Sequence, residues 1–148
     1  MSWGFEHSVE AAADPAVAWA FWTDLENWKL DPAVEWARLD GPFRAGARGE
    51  TKQRGQDAVP WQVVEVQEGR AATLEVVTPA GTARFAWRFE PVAGGRTRLT
   101  QRVTLDGDAV AAWPEEARAT FAEGVRALMA KLAAAITAAA APPRTPAE

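Results

Sequence analysis

The segments on either side of Gly94-Gly95 alternate in step, and that pairing constrains the fold more than any other feature of the chain. Before the glycines, Phe85, Trp87 and Phe89 alternate with Arg84 and Arg88; after them, Leu99, Val103 and Leu105 lie opposite in parity to Arg98 and Arg102. A period of two belongs to a β-strand, and adjacent glycines suit a tight hairpin turn. One face of this hairpin is apolar and the other carries guanidinium groups, the pattern of an antiparallel sheet with one wet side. Its apolar face needs a cover, and the chain supplies one. From Pro114 to about Ile136 the period lengthens. Ala117, Phe121, Val125, Leu128, Leu132 and Ile136 recur at steps of three and four, the stripe of an amphipathic helix. Pro114 suits the start of that helix, and Glu115 and Glu116 suit its positive end. Gly124, on or near the inner side of the stripe, is expected to let the sheet or a ligand come close.

The rest of the chain supplies the remaining sheet. Trp3, Phe5, His7 and Val9 share one face of an alternating strand from Trp3 to Glu10. Asp14-Pro15 then opens a helix, with Asp14 as its cap. A second short helical piece spans Leu25 to Leu30, and Pro32 stops it. Strands are expected near Glu35 to Leu39, Gly49 to Arg54, Trp61 to Gln67, Ala72 to Thr78 and Thr82 to Pro91. The last runs from Thr97 to Leu105. Gly41-Pro42, Gly55, Glu68-Gly69 and Pro79-Ala80-Gly81 separate them as turns. The order is therefore strand, two short helices, six strands and a long helix. That is an α+β arrangement: a seven-stranded antiparallel curved sheet that must bury the helix's stripe against its own apolar face. Residues 1–140 are expected to be a single domain, and 141–148, with three prolines, a flexible tail.

Composition removes several classes of function. The chain has no Cys and one His, so a disulfide framework, a thiolate zinc site and a cysteine nucleophile are excluded. No cluster has metal-ligand spacing, and neither a metal nor a cofactor is expected. Sixteen Lys plus Arg against twenty Asp plus Glu give a net charge of -4. That balance argues against nucleic acid as a partner. The N-terminus has no signal-peptide pattern, and the Ala-rich run from Ala133 to Ala141 is too short to span a membrane. A cytoplasmic protein without membrane insertion is expected, monomeric or homodimeric. Eight Trp and six Phe with no Tyr put the aromatic content into apolar surface.

The element order and certain local strings resemble the START-like (SRPBCC) superfamily, in particular its bacterial polyketide cyclase/dehydrase-like branch. The strings are Asp14-Pro15-Ala16-Val17-Ala18-Trp19-Ala20-Phe21-Trp22-Thr23-Asp24, Asn27-Trp28, and Gly41-Pro42-Phe43-Arg44-Ala45-Gly46-Ala47-Arg48-Gly49. Trp61-Gln62-Val63-Val64-Glu65-Val66, Trp87-Arg88-Phe89-Glu90-Pro91 and Gly94-Gly95-Arg96-Thr97-Arg98-Leu99 follow, so the resemblance covers roughly residues 3 to 136. It implies a helix-grip fold with an apolar cavity between sheet and helix. It implies no reaction, because the superfamily holds carriers, receptors, cyclases and chaperone activators on one fold without a shared catalytic motif.

The candidate site residues follow from strand parity in the sheet and from helical spacing in the helices. His7 points to the same side as Phe5 and Val9. It suits a general acid or base, and it equally suits a wall histidine bonded to a neighbour or water, the plainer reading. Gln101 interrupts the apolar face of its strand and needs a partner there: a ligand group, a water or His7. Thr78 is a third polar candidate, in line with Leu74 and Val76. Trp22, Trp36, Trp61 and Trp87, with Phe85, Phe121 and Val125, are assigned to the wall of the cavity, since large apolar walls with few polar groups describe a small-molecule pocket. Trp19 and Trp28 are assigned to structure. The row Arg84, Arg88, Arg98 and Arg102 is read as a solvated outer face paired with Glu75 and Glu90.

Three functions compete. The first is binding of an apolar small molecule of polyketide, lipid or aromatic type. The second is a cyclase- or dehydratase-like enzyme using His7. The third is a protein-interaction module of the chaperone-activator kind. The inward face is aromatic and poor in titratable groups, which favours the first, since enzymes usually oppose two groups with separated pKa values.

Overall fold

The computed structural model describes residues 2–78 and 81–141, apart from the side chains of Thr78 and Ala109. The segment expected to form a flexible tail lies outside the described residues from position 142 on. Among the described residues, seven strands form one sheet: β1 (Ser2–Ala11), β2 (Val34–Leu39), β3 (Arg48–Gln53), β4 (Val59–Gln67), β5 (Ala71–Thr78), β6 (Gly81–Val92) and β7 (Arg96–Gly107). Their order is β1-β7-β6-β5-β4-β3-β2, and every pairing is antiparallel. Helix α1 (Pro15–Thr23) and a 3-10 helix (Leu25–Leu30) follow β1; α2 (Asp108–Ala112) and the long α3 (Glu115–Ala140) follow β7.

Strands β1 and β2 are consecutive among the strands yet stand at opposite edges of the sheet. The chain crosses the whole width between them, and α1 with the 3-10 helix makes that crossing. Local chemistry sets both elements. Asp14 has an extended backbone and its side chain accepts a hydrogen bond from the Val17 N–H at 3.0 Å, with Pro15 in the first turn. Such a cap is worth about 1 kcal/mol. Asp24 ends α1 and caps the next element, accepting from the Glu26 N–H at 3.1 Å.

The sheet curves because two strands carry irregularities, between Val34 and Trp36 in β2 and between Val63 and Glu65 in β4. A bulge bends its strand and raises the local twist. In β4 it also resets parity: Val63 is buried, Val64 and Glu65 are both exposed, and Val66 turns back inward. Helix α2 was not expected from the sequence. It is five residues long, and it is entered through Gly107 at φ 77, a left-handed conformation that glycine tolerates.

Helix α3 runs along β1 and touches α1 and the 3-10 helix. Its most buried positions are Ala122, Met129, Leu132, Ala133 and Ile136. Phe121, Val125 and Leu128, expected to be buried with Leu132, are only half-buried, so the deep stripe lies mainly in the C-terminal half of the helix. Gly124 faces outward, and a Cβ there would meet nothing within 4 Å. The expectation that it admits the sheet or a ligand is corrected: it lies on the far side of the stripe. Two hydrogen bonds hold the segment just after β1, one from the C-terminal half of α3 and one from β7. The Ala12 N–H donates to Thr137 Oγ1 at 2.9 Å, and Thr97 Oγ1 donates to the Ala13 carbonyl at 2.7 Å.

The outer face is wet as the arginine alternation suggests, and the arginines of that row are paired except Arg102, which has no ion pair among the described residues. Arg84 meets Glu75 at 2.8 Å, Arg88 lies between Glu6 at 3.5 Å and Glu90 at 3.7 Å, and Arg98 meets Glu10 at 3.7 Å. Exposed pairs of this kind contribute about 0–1 kcal/mol each. No helix among the described residues is long and apolar enough to cross a membrane.

Candidate functional site

The register of the sheet arranges its inner side chains in rows. Phe5 stands opposite Val103, which stands opposite Phe85, which stands opposite Leu74. The next row runs from His7 through Gln101 and Trp87 to Ala72. Beyond it come Val9, Leu99 and Phe89. Burial varies within each row, and Val103 in the first is as closed as Leu99 in the last, both at 0% exposure. Phe5, Phe85, His7 and Val9 are half-buried, whereas Leu99 and Phe89 are sealed at 0% and 2% exposure.

The sealed end is built from indoles and phenyl rings. Trp22 lies 5.1 Å from Trp87, 5.2 Å from Phe43 and 5.4 Å from Phe89, centroid to centroid, and Trp19 lies 5.4 Å from Phe89. Trp28 stacks on Trp61 at 5.1 Å and donates its indole N–H to the Trp22 carbonyl at 2.8 Å. Trp61 donates its own to Thr51 Oγ1 at 2.9 Å. Gly49, opposite Trp61 in the ladder, leaves the room for that ring: a Cβ at Gly49 would stand 2.4 Å from it. Each ring contact contributes about 0.5–1.5 kcal/mol beyond burial of its area.

Trp22, Trp61 and Trp87 therefore sit in one packed cluster, each under a tenth exposed. Trp36 is apart from them on edge strand β2, half-buried, with the Arg38 guanidinium 5.0 Å from its ring. A hydrogen bond from Arg38 to Glu50, with the charge of that carboxylate, raises the guanidinium further above its ordinary range. Phe85 and Val125 are half-buried and pack against the edge of the core, and Phe121 belongs to a second group of rings described below. The side chain of Thr78 lies outside what the structure describes; its backbone pairs with Gly81.

His7 and Gln101 are brought together as direct neighbours across the β1–β7 ladder. Gln101 is 7% exposed. Neither side chain has a hydrogen-bond partner among the described residues, although buried polar groups normally find one. The flanking inner positions, Phe5, Val9, Val103 and Leu99, are apolar, so no carboxylate stands beside the imidazole on these rows. Among the described residues no group of three or more metal-ligating side chains gathers anywhere.

Toward the other end a second aromatic group stands half open. Phe5 of β1 meets Phe121 of α3 edge-on at 6.2 Å, Trp3 lies 5.4 Å from Phe5, and Trp113 lies 5.1 Å from Phe121. Two guanidinium groups from α3 cover these rings, Arg118 over Trp3 and Arg126 over Phe5, each at 5.7 Å. The sequence reading did not single out either arginine. The signal was present: Arg118, Phe121, Ala122, Val125, Arg126 and Met129 fall on one helical face by steps of three and four. Tracing only the apolar members of that face hid the charged ones.

A family model described as "Polyketide cyclase / dehydrase and lipid transport" matches residues 2–139. No curated protein matches the sequence. Among solved structures, that of Ara h 8.0201 superposes with a TM-score of 0.74 at 15% identity, covering 93% of this chain and 99% of that one. Norcoclaurine synthase from Thalictrum flavum, in complex with dopamine and hydroxybenzaldehyde, gives 0.69 at 12% identity over 97% and 90%. A protein from Chromobacterium violaceum gives 0.66 at 14% over 90% and 96%. At these identities the likeness is one of fold.

Proposed function

The chain belongs to the polyketide cyclase / dehydrase and lipid transport family, and on that premise we propose that it binds a hydrophobic small molecule between the inner face of the sheet and α3. The observation that carries this reading is the contrast between the two aromatic groups. The end holding Trp22 and Phe89 is filled by its own side chains. The end holding Phe5, Phe85, Phe121 and Val125 leaves large apolar groups half covered, although they face inward between two elements. A binding site for a small molecule is mostly apolar with a few polar groups that orient the ligand, and His7 and Gln101 are such groups.

The test is thermal denaturation against a panel of aromatic polyketides, sterols, fatty acids and flavonoids. A ligand present at a hundredfold excess over its Kd adds about 2.7 kcal/mol of stability, which for a chain of this size raises Tm by about 5 to 10 °C. A flat response across the whole panel would sink the reading.

A second reading, chemistry performed on the bound molecule, rests on His7. It is the inward titratable group on the two rows that stay half open, and its imidazole is left without a protein partner. His7→Ala would then keep binding and stop conversion. With no carboxylate beside it, His7 lacks the opposed acid–base partner that such chemistry usually employs, and binding remains the preferred function.

A further inference from the structure

We infer that the bound molecule has an anionic head, carboxylate or phosphate alike, held at the open end by Arg118 and Arg126; this deepens the binding reading and rests on it.

The two arginines differ from most of those on the outer face, where Arg102 alone of the expected row has no ion pair among the described residues. Arg84, Arg88, Arg96 and Arg98 each lie within ion-pair distance of a glutamate. Arg118 and Arg126 have no ion pair and no side-chain hydrogen bond among the described residues. Glu115 and Glu123 stand three residues before each of them on the helix, a spacing that permits pairing, and both remain unpaired. Arg118 is half-buried, and its Nε is shut off from solvent with no acceptor. A buried donor of a charged group left without an acceptor is costly. The outer N–H groups of the half-buried Arg118 remain free to take an acceptor from outside the chain.

What the protein does supply is orientation. Each guanidinium lies within cation–π distance of an aromatic ring, which favours a cation there. A flat guanidinium presents its N–H groups in a fork that matches the oxygens of a carboxylate or phosphate. The rings beneath, Trp3 and Phe5, are the inward side chains at the start of β1. A molecule with its head on the two arginines would lie with its body past Phe5 and Val125 toward His7 and Val9. From Phe5 to Val9 the strand measures about 13 Å, comparable with an apolar body of medium length.

The probes are decanoate, decyl phosphate and decan-1-ol, of similar apolar length, with affinities read by Trp fluorescence and calorimetry on the full chain. Either anion is expected to bind roughly 10- to 100-fold more tightly than the alcohol, the range for a charge-assisted contact. The ratio of decanoate to decyl phosphate tells which head the site takes. In the Arg118→Gln, Arg126→Gln double variant that preference should vanish while decan-1-ol binds as before. Unchanged alcohol affinity also shows that the variant is folded. Arg126 is exposed, so Arg126→Gln alone keeps the fold and should weaken decanoate several-fold. Equal affinity for all three probes, or an anion preference that survives in the double variant, overturns the anionic head and leaves the binding reading standing. Failure of all three probes overturns it too, and a flat response across the wider panel would then take the binding reading with it.

Discussion

Trp22 and Phe121 are both large aromatic side chains carried on helices that face the sheet, and their surroundings differ sharply. Trp22 touches five other rings and is 4% exposed. Phe121 touches Phe5 and Trp113, and Trp113 is itself 38% exposed. The same fold thus keeps one end closed by aromatic packing and leaves the other with apolar groups unfinished. A protein interior normally packs to crystal-like density. The half-covered end is where the proposed ligand would lie, so the two ends would separate stability from binding along β1.

This division can be broken first by truncating one ring at each end. Phe89→Ala, at 2% exposure, should destabilise the protein by about 3–5 kcal/mol. Phe121→Ala should cost less, about 1–2 kcal/mol, because part of its surface is already wet. Urea denaturation monitored by circular dichroism gives both values, and comparable losses would erase the distinction. Ligand affinity should respond in reverse: the Phe121 variant loses it while the Phe89 variant, where folded, keeps it.

The next effect belongs to the closed end alone. Gly49→Ala brings a methyl group within 2.4 Å of the Trp61 ring, in a place where the ring is held by Trp28 and by its bond to Thr51. Overpacking of this kind costs about 1–3 kcal/mol, and the displaced indole should report it as a shift in Trp emission. A variant as stable as the parent would show that the cluster yields more readily than its contacts suggest.

Smaller effects sharpen the boundary. Asp14→Ala removes the cap of α1, which carries Trp19 and Trp22 into the core, and should cost about 1 kcal/mol by the same denaturation assay. Arg88→Ala, on the wet outer face, should change stability by less than about 0.5 kcal/mol. A larger loss there would mean that the outer ion pairs carry the sheet more than the closed end does.

Much of this architecture was legible in the residues. Alternation about Gly94-Gly95, the Asp14-Pro15 cap and the change of period at Pro114 each report a local rule, and local rules survive in the folded chain. Every expected strand is present, with ends displaced by a residue or two. What the pattern could not carry was geometry between elements. The β4 bulge resets parity without any glycine or proline to announce it. Alternation places Trp61 and Trp87 on the inner side and helical spacing turns Trp22 to the core, but whether such rings meet one another or enclose space depends on how the crossing elements lean. In the structure they meet. The arginines of α3 were hidden by their charge, since a search for an apolar stripe skips the positions that a mouth would use.

The most direct test of the account uses the one histidine of the chain. His7 gives a single set of imidazole NMR signals, and it sits on the row between the half-open rings and the sealed cluster. Titration with decanoate should move those signals together with the side-chain amide of Gln101 and the indole N–H of Trp3, and leave the indole of Trp19 in place. Saturable binding that leaves His7 unmoved and perturbs only surface amides would contradict the account, because the ligand would then lie outside the space between sheet and helix.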